Sequence, residues 1–174
     1  MATLSEVREA LDAMHLADGN ITCLHCTSLY PAPFKTLNLR AMVTMQTAFS
    51  TPVGYSDHSE GIAVSIAAVA MGATIIEKHL TLDKSMPGPD HRASIEPTLF
   101  SEMVSAIKTI EVALGTDKKQ PHKVEQKNIK IARKKLVASQ PIKKGGLFSS
   151  KNLAAMRPGD GQSPMDFWDL VGQP

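Results

Sequence analysis

The sequence contains few cysteines, few aromatic residues and no long apolar run. It has two cysteines in 174 residues, and Phe, Trp and Tyr together make up 5% of the chain. Two cysteines cannot build the disulfide framework of a small secreted domain. The longest strongly apolar stretch, residues 61–72, is well short of the roughly 20 residues that a membrane-spanning helix needs. Since no basic and apolar leader opens the sequence, we expect a cytoplasmic protein with no membrane partner.

The sequence also has no large excess of charge of either sign. It contains 19 Lys and Arg residues and 17 Asp and Glu residues, for a net charge of +2. One basic run, residues 117–135, has eight Lys or Arg and two acids. A nucleic-acid arm would normally add aromatic residues that stack on bases, and this run has none. We interpret it as a solvated linker and helix and expect no nucleic-acid partner.

The two cysteines have the spacing C-x-x-C, as Cys23 and Cys26. This spacing occurs in zinc sites and redox sites, but a zinc site needs two more ligands and no second C-x-x-C exists. The pair lies in a run of β-forming residues, where positions three apart point to opposite faces of a sheet. We therefore expect two structural cysteines in a strand.

Helical and strand patterns alternate along the first two thirds of the chain. The predicted helices are 4–14, a segment around 39–49, 61–71 and one that begins at Pro97 and ends at Gly115; the predicted strands are 21–27, 52–57 and 73–80. Asp18 and Gly19 are expected to end the first helix. This alternation is typical of an α/β fold with parallel strands and crossover helices.

A second, smaller unit is predicted after the basic run. Lys135 begins a short β pattern, and a Lys-Lys-Gly-Gly turn at 143–146 follows it. We predict an α/β domain at 1–116, a basic linker with a helix at 117–134 and a small β-rich domain at 135–174.

Two histidines, His58 and His79, each follow a predicted strand. They are 21 residues apart, about one helix and one strand, so they should lie at equivalent ends of neighbouring strands roughly 4.8 Å apart. Two imidazoles there could share a divalent ion, with Ser56 and Glu77 on the same face by the alternation of a strand. The alternative is a structural role, in which each histidine hydrogen-bonds a neighbouring carbonyl. His15 and His122 have no such placement and are expected at the surface.

A long loop with the sequence Pro-Gly-Pro-Asp-His follows the third predicted strand, at 87–91. Long loops at this edge of an α/β sheet tend to hold substrate. Asp90 could bind sugar hydroxyls or transfer a proton. The alternative is a plain turn.

Several motifs together resemble the N-acetylneuraminate (sialic acid) synthase family, which includes enzymes that make legionaminate. They are HCTSLYPAP at 25–33, GYSDH at 54–58, IEKH at 76–79 and PGPDH at 87–91. The segment RPGDG at 157–161 resembles the start of that family's C-terminal antifreeze-like (SAF) domain. The resemblance implies the last three strands and helices of a (β/α)8 barrel, followed by a linker and an incomplete SAF domain.

The resemblance also implies a reaction and a set of roles. Family members condense phosphoenolpyruvate with an open-chain N-acetylated hexosamine and release phosphate. His58 and His79 correspond to the ligands of a catalytic Mn²⁺, for which Mg²⁺ or Co²⁺ are alternatives. The substrate-binding positions are Ser28, Tyr30, Ser56, Asp90 and Arg157, and the carboxylates for proton transfer are Glu77 and Asp90. Arg157 would act in the active site of the partner subunit of a domain-swapped homodimer.

Family members are about twice as long as this chain, and the lysines that hold phosphoenolpyruvate in them precede the part that is matched. We therefore expect these 174 residues alone to be inactive, although the family is enzymatic. The alternative is a non-catalytic module, or a half-barrel subunit that needs a separate N-terminal half.

Overall fold

The computed structural model describes residues 1–14, 20–157 and 159–174. The chain divides into two compact units, Met1–Thr116 and Asp117–Pro174. Asp18 and Gly19, the predicted end of the first helix, lie outside the described residues, as do His15 and Pro158.

The first unit alternates helices and parallel strands, as the pattern predicts. Its elements are α1 (Leu4–Met14), β1 (Cys23–Cys26), α2 (Arg40–Ala48), β2 (Val53–Asp57), α3 (Ala63–Ala70), β3 (Ile76–Lys78) and α4 (Pro97–Leu114). The strands form one parallel sheet in the order β1-β2-β3. An α/β fold is therefore confirmed for this unit.

The register of the sheet aligns the ends of its strands. Cys26 of β1 pairs with Ser56 of β2, and Ser56 pairs in turn with Glu77 of β3. The strands are shorter than predicted, most clearly β3, which was expected over 73–80. The pairing of β2 with β3 ends at Asp57 and Lys78, and beyond that point Leu80 forms only an isolated bridge with Ile95.

Helices cover one face of this sheet and form the core with it. The face carries Val53 and Tyr55 of β2, which are 1% and 0% exposed. The buried residues packed there from the helices and their connections are Leu11, Ala32, Leu37, Met42, Met45, Phe49, Val64 and Ala68. Cys23 packs against this cluster, whereas Cys26 points to the opposite face, and both are free thiols. The structural interpretation of the two cysteines thus fits their positions.

Local signals at the helix ends are present where the sequence predicts them. The side chain of Glu6 accepts a hydrogen bond from the backbone N–H of Thr3 at 2.6 Å, and the N–H of Glu6 donates to the Thr3 hydroxyl at 3.4 Å. This is a capping box, which satisfies N–H groups that have no partner inside the helix. α4 begins at Pro97 and ends before Gly115, whose φ of 57° favours glycine.

The second unit contains a short helix, α5 (Gln126–Ala132), an antiparallel pair, β4 (Lys135–Ala138) and β5 (Leu153–Met156), and a last turn of helix, α6 (Phe167–Leu170). In the basic run every Lys and Arg except Lys135 is exposed. The assignment of this unit to a SAF domain stays a prediction. Among the described residues of either unit, no helix has both the length and the apolarity required to cross a bilayer.

Gly54, in the middle of the central strand, is a position where the packing leaves no room for a side chain. A Cβ there would lie 2.4 Å from Leu24 Cδ2 and 2.5 Å from the carbonyl oxygen of Ile75. We expect Gly54→Ala to lower the free energy of unfolding of the first unit by about 2–3 kcal/mol, since a backbone atom must move. Urea unfolding followed by circular dichroism measures it.

Gly61→Ala, in the same unit, is the control for this substitution. Gly61 has a positive φ of 74° but no atom within 4 Å of the added Cβ, so only backbone strain of about 1 kcal/mol is expected. A loss at Gly54 no larger than the loss at Gly61 would contradict the close packing of the sheet.

Candidate active site

The two strand-end histidines lie next to each other on the face of the sheet opposite the core. His58 follows β2 and His79 follows β3. Their ring centres are 5.2 Å apart and the rings are inclined by 65°. The parallel register and the alternation of side chains along each strand explain this, because both residues stand two positions after a paired residue, Ser56 or Glu77.

His58 is 7% exposed, and one of its ring nitrogens is already hydrogen-bonded. Its Nδ1 lies 2.9 Å from the carbonyl oxygen of Thr27, and the Sγ of Cys26 is 3.6 Å from the same nitrogen. A carbonyl can only accept, so Nδ1 carries the proton, and in the neutral ring the lone pair is on Nε2. This ring is therefore compatible with both hypotheses. Its Nδ1 forms the structural hydrogen bond to a neighbouring carbonyl, and its Nε2 could bind a metal.

The spacing of the two rings fits a shared ion. A metal about 2.1 Å from a ring nitrogen lies about 3.3 Å from the ring centre, so two imidazoles at about 90–110° around one ion have centres about 4.7–5.4 Å apart. The observed 5.2 Å is within that range. Within the described residues no group of three or more His, Cys, Asp or Glu side chains could hold a metal. If the pair binds an ion, it supplies two ligands, and the other coordination positions of the ion are open to substrate or water.

Tyr30 forms one wall beside the histidines. Its ring centre is 4.2 Å from that of His58 and 5.4 Å from that of His79. The segment that carries it is held in place because the backbone N–H of Ala32, which is 4% exposed, donates to the carbonyl of His58 at 2.8 Å. Half of the Tyr30 residue remains exposed.

Ser56 and Glu77 form a hydrogen-bonded pair on the same face as the histidines. The Ser56 hydroxyl donates to Glu77 Oε1 at 2.6 Å. Ser56 is 4% exposed, whereas Glu77 is exposed. The serine therefore orients a carboxylate whose other oxygen can still bind a proton or a hydroxyl group.

Among the described residues of the first unit, the side chains of Ser28 and Asp90 form no hydrogen bond with this group. Ser28 is exposed, and no described residue hydrogen-bonds its side chain. Asp90 is exposed in the loop after β3, where its backbone carbonyl, not its carboxylate, accepts from Ser94 at 2.8 Å. Arg157 belongs to the second unit, in which its Nε donates to the carbonyl of Ala132 at 3.0 Å.

Comparison with known proteins identifies the family of the chain. The model of the NeuB family matches residues 1–119, about two thirds of the sequence. The chain belongs to the NeuB family. The predicted resemblance to sialic and legionaminic acid synthases is thereby confirmed.

Several relatives of the chain are named synthases. N,N'-diacetyllegionaminic acid synthase of Campylobacter jejuni is 50% identical over 99% of this chain and 53% of its own length. Human N-acetylneuraminate-9-phosphate synthase is 35% identical over 99% of this chain and 49% of its own length. The crystal structure of a sialic acid synthetase from Leptospira borgpetersenii, in complex with citrate, has a TM-score of 0.69 and 38% identity, and the match covers 74% of this chain and 45% of that one. The chain therefore spans about half the length of the relatives it matches.

The sequence reasoning missed an ion pair behind the histidines. The Nζ of Lys78 lies 3.0 Å from Asp57 Oδ2, and both side chains are almost wholly buried. Strand alternation does predict that Lys78 points away from the pocket, and the same alternation could have placed its register partner Asp57 beside it. The missing information was that neighbouring strands end at the same level.

Asp57 is held in its charged form by this environment. Burial by itself would raise the pKa of the carboxyl, but hydrogen bonds from Ser59, Ser65 and Lys78 outweigh it, so the pKa is lower than that of an ordinary aspartate. The unfolded chain therefore binds a proton on Asp57 at a higher pH than the native chain does.

This difference predicts a loss of stability in acid. The contribution of Asp57 is complete above its unfolded pKa of about 3.9 and is lost as the pH falls below that value through the lower native pKa. In the presence of EDTA, the free energy of unfolding measured in urea should decline from about pH 4 downwards, and Asp57→Asn should be less stable at neutral pH and should flatten the decline.

Asp83→Asn is the matched control for that experiment. Asp83 accepts the same two hydrogen bonds from a serine two residues later, Ser85, but its side chain is exposed. Water screens such surface interactions, so this variant should keep most of the decline. An unchanged decline in Asp57→Asn would contradict the assignment.

Proposed function

We propose that this site joins phosphoenolpyruvate to the open-chain form of an N-acetylated hexosamine and releases inorganic phosphate. The observation that supports it most is the His58–His79 pair, whose ring centres are 5.2 Å apart. The chain is also 50% identical to a legionaminic acid synthase over 99% of its residues. Because the chain spans about half the length of its relatives, we propose that it carries only a part of this active site.

His58 and His79 would hold a divalent ion, and Mn²⁺ is the ion we propose, with Mg²⁺ or Co²⁺ as alternatives. The Nδ1–H of His58 is bound to the Thr27 carbonyl. A hydrogen bond of this kind fixes the tautomer and orientation of a metal-binding histidine. When bound, such an ion withdraws electron density from the carbonyl group of the sugar aldehyde.

The reaction forms one carbon–carbon bond and breaks one carbon–oxygen bond. C3 of phosphoenolpyruvate attacks the aldehyde carbon, whose oxygen takes up a proton and becomes a hydroxyl. C2 is left electron-poor, and a water molecule adds there and loses a proton. The bond between C2 and the bridging phosphate oxygen then breaks, and inorganic phosphate leaves with that oxygen. The C2 hydroxyl passes its remaining proton to the departing phosphate, and the oxygen from water becomes the new carbonyl oxygen. Two proton transfers therefore need a carboxyl group in the site.

Glu77 is the first candidate for this proton transfer, and Asp90 is the second. Glu77 is accessible, and the Ser56 hydroxyl occupies only one of its oxygens. We assign Tyr30 to sugar binding, which its half-exposed ring beside both histidines supports. From the resemblance to the family motifs, we also propose that Ser28 and Ser56 bind phosphoenolpyruvate and that Asp90 binds the sugar.

For the second unit we propose a SAF-type domain that works in a homodimer. Its antiparallel β4–β5 pair follows the basic segment, and Arg157 is exposed directly after β5. An exposed guanidinium can bind a substrate anion or hydroxyl in the active site of a partner subunit.

The central prediction is that His58→Ala or His79→Ala abolishes phosphate release. Phosphoenolpyruvate, N-acetylmannosamine or its 2,4-diacetamido analogue, and Mn²⁺ are supplied to the chain together with the N-terminal half of the Campylobacter jejuni relative. We expect turnover in this mixture and none with the chain alone, since a trianionic substrate normally needs several Lys or Arg donors. Each histidine variant should lose the activity and the binding of Mn²⁺, measured by the signal of free Mn²⁺ in electron paramagnetic resonance.

His122→Ala is the control, because His122 is an exposed histidine that caps a turn in the second unit. It should keep Mn²⁺ binding and turnover. Activity that survives loss of either strand-end histidine would contradict the proposed function, and turnover by the chain alone would show that the residues present suffice.

Replacement of Glu77 separates proton transfer from metal binding. Glu77→Gln should lower the turnover of the same mixture by about 10²–10⁴-fold, the usual contribution of a general acid or base, and leave Mn²⁺ affinity within about twofold of the parent. Asp90→Asn serves as the comparison, since a larger loss there than at Glu77 would assign the proton transfer to Asp90 instead.

A further inference from the structure

The buried ion pair behind the histidines connects the two strands that carry them. Asp57 is the last residue of β2 and Lys78 the last residue of β3, and the two are register partners. Each directly precedes one of the histidines. The pair lies on the helix-covered side of the sheet, where its side chains are 0% and 1% exposed, so it cannot contact a substrate on the other side.

The hydrogen bonds of this pair hold His58 from both sides. Asp57 Oδ1 accepts from the backbone N–H of Ser59 at 2.9 Å and from its hydroxyl at 2.6 Å. Lys78 Nζ reaches across from β3 and donates to the carbonyl of Ser59 at 2.8 Å. The residues before and after His58 are therefore both fixed, and one of the donors comes from the strand of His79.

Helix α3 is attached to the same carboxylate. The Ser65 hydroxyl donates to Asp57 Oδ2 at 2.6 Å, the oxygen that also binds Lys78. Both carboxylate oxygens thus accept two hydrogen bonds each. A buried ion pair of this kind adds little net stability compared with apolar residues of the same size, but its bonds have strict geometry.

His79 has few other restraints. β3 is three residues long and ends before His79, which is held through its backbone carbonyl by the N–H of Ile95 at 2.9 Å. No described residue hydrogen-bonds the His79 ring. The Asp57–Lys78 bridge joins the two residues that directly precede the histidines on neighbouring strands.

We infer that the Asp57–Lys78 pair is a positioning device, which sets the distance between the His58 and His79 rings and thereby the affinity of the site for a divalent ion. This inference rests on the proposed function where it concerns the ion, but the ring spacing can be measured without one. Asp57 and Lys78 act through the histidines and are not catalytic residues.

The test uses the 174-residue chain and the double variant Asp57→Leu/Lys78→Met, which replaces the pair by apolar side chains of similar size. Neither charge is left unpaired in this variant, but the buried N–H and hydroxyl of Ser59 and the hydroxyl of Ser65 lose their acceptor. The variant should therefore unfold at a lower urea concentration than the parent, and circular dichroism checks that it is folded in buffer. Two quantities are measured: Mn²⁺ affinity from the free-ion signal in electron paramagnetic resonance, and nuclear Overhauser effects between the His58 and His79 ring protons in the metal-free protein.

We expect Mn²⁺ binding about 10–100-fold weaker in the double variant, the range usual for residues that orient metal ligands, and weakening or loss of the contacts between the rings. Ser65→Ala keeps both charges and removes one hydrogen bond, so it should fold and show a smaller effect of the same sign. Asp83→Asn should change neither quantity. If the double variant does not fold, the Ser65→Ala result decides.

The outcomes distinguish the two proposals. Unchanged ring contacts and unchanged Mn²⁺ affinity in a folded variant would overturn the positioning inference. If the parent binds no Mn²⁺, or if His58→Ala binds Mn²⁺ as tightly as the parent does, the proposed metal site is wrong. A loss of ring contacts in the double variant would still support the positioning role.

Discussion

Parallel pairing of β2 with β3 is the constraint on which the candidate site depends. It places Ser56 opposite Glu77 and Asp57 opposite Lys78, and His58 and His79 directly follow this last pair. Because successive side chains point to opposite faces, this one register fixes two sets of groups at once. A shift of either strand by one residue would exchange the two sets and separate the histidines.

The two faces of the sheet then have different physical roles. One face packs against α1, α2 and α3, and there Tyr55 and Val53 are buried with the Asp57–Lys78 pair. The opposite face carries Ser56, Glu77 and the two imidazoles, which lie beside the Tyr30 ring. Charge is buried where it is neutralised by a partner, whereas the Glu77 carboxylate on the opposite face is exposed.

The arrangement of His58 illustrates how a structural contact and a chemical role can coexist in one side chain. Its Nδ1–H donates a hydrogen bond to the carbonyl of Thr27. Its backbone carbonyl accepts one from the N–H of Ala32 and so fixes the segment that contains Tyr30. The other ring nitrogen is therefore oriented by the first strand as well as by its own. Three consecutive strands of the sheet contribute to one small group of side chains.

The sequence by itself determined the α/β class, the order of the elements, the start and end of α4 and the common face of His58 and His79, since these follow from periodicity, capping residues and strand alternation. Only the tertiary structure decided where pairing stops, which shortened β3 to Ile76–Lys78, and that Lys78 meets Asp57. It also decided which nitrogen of His58 is occupied. Local patterns specify faces and element types, whereas the level at which neighbouring strands end, and hence which side chains meet, depends on contacts between residues distant in the chain.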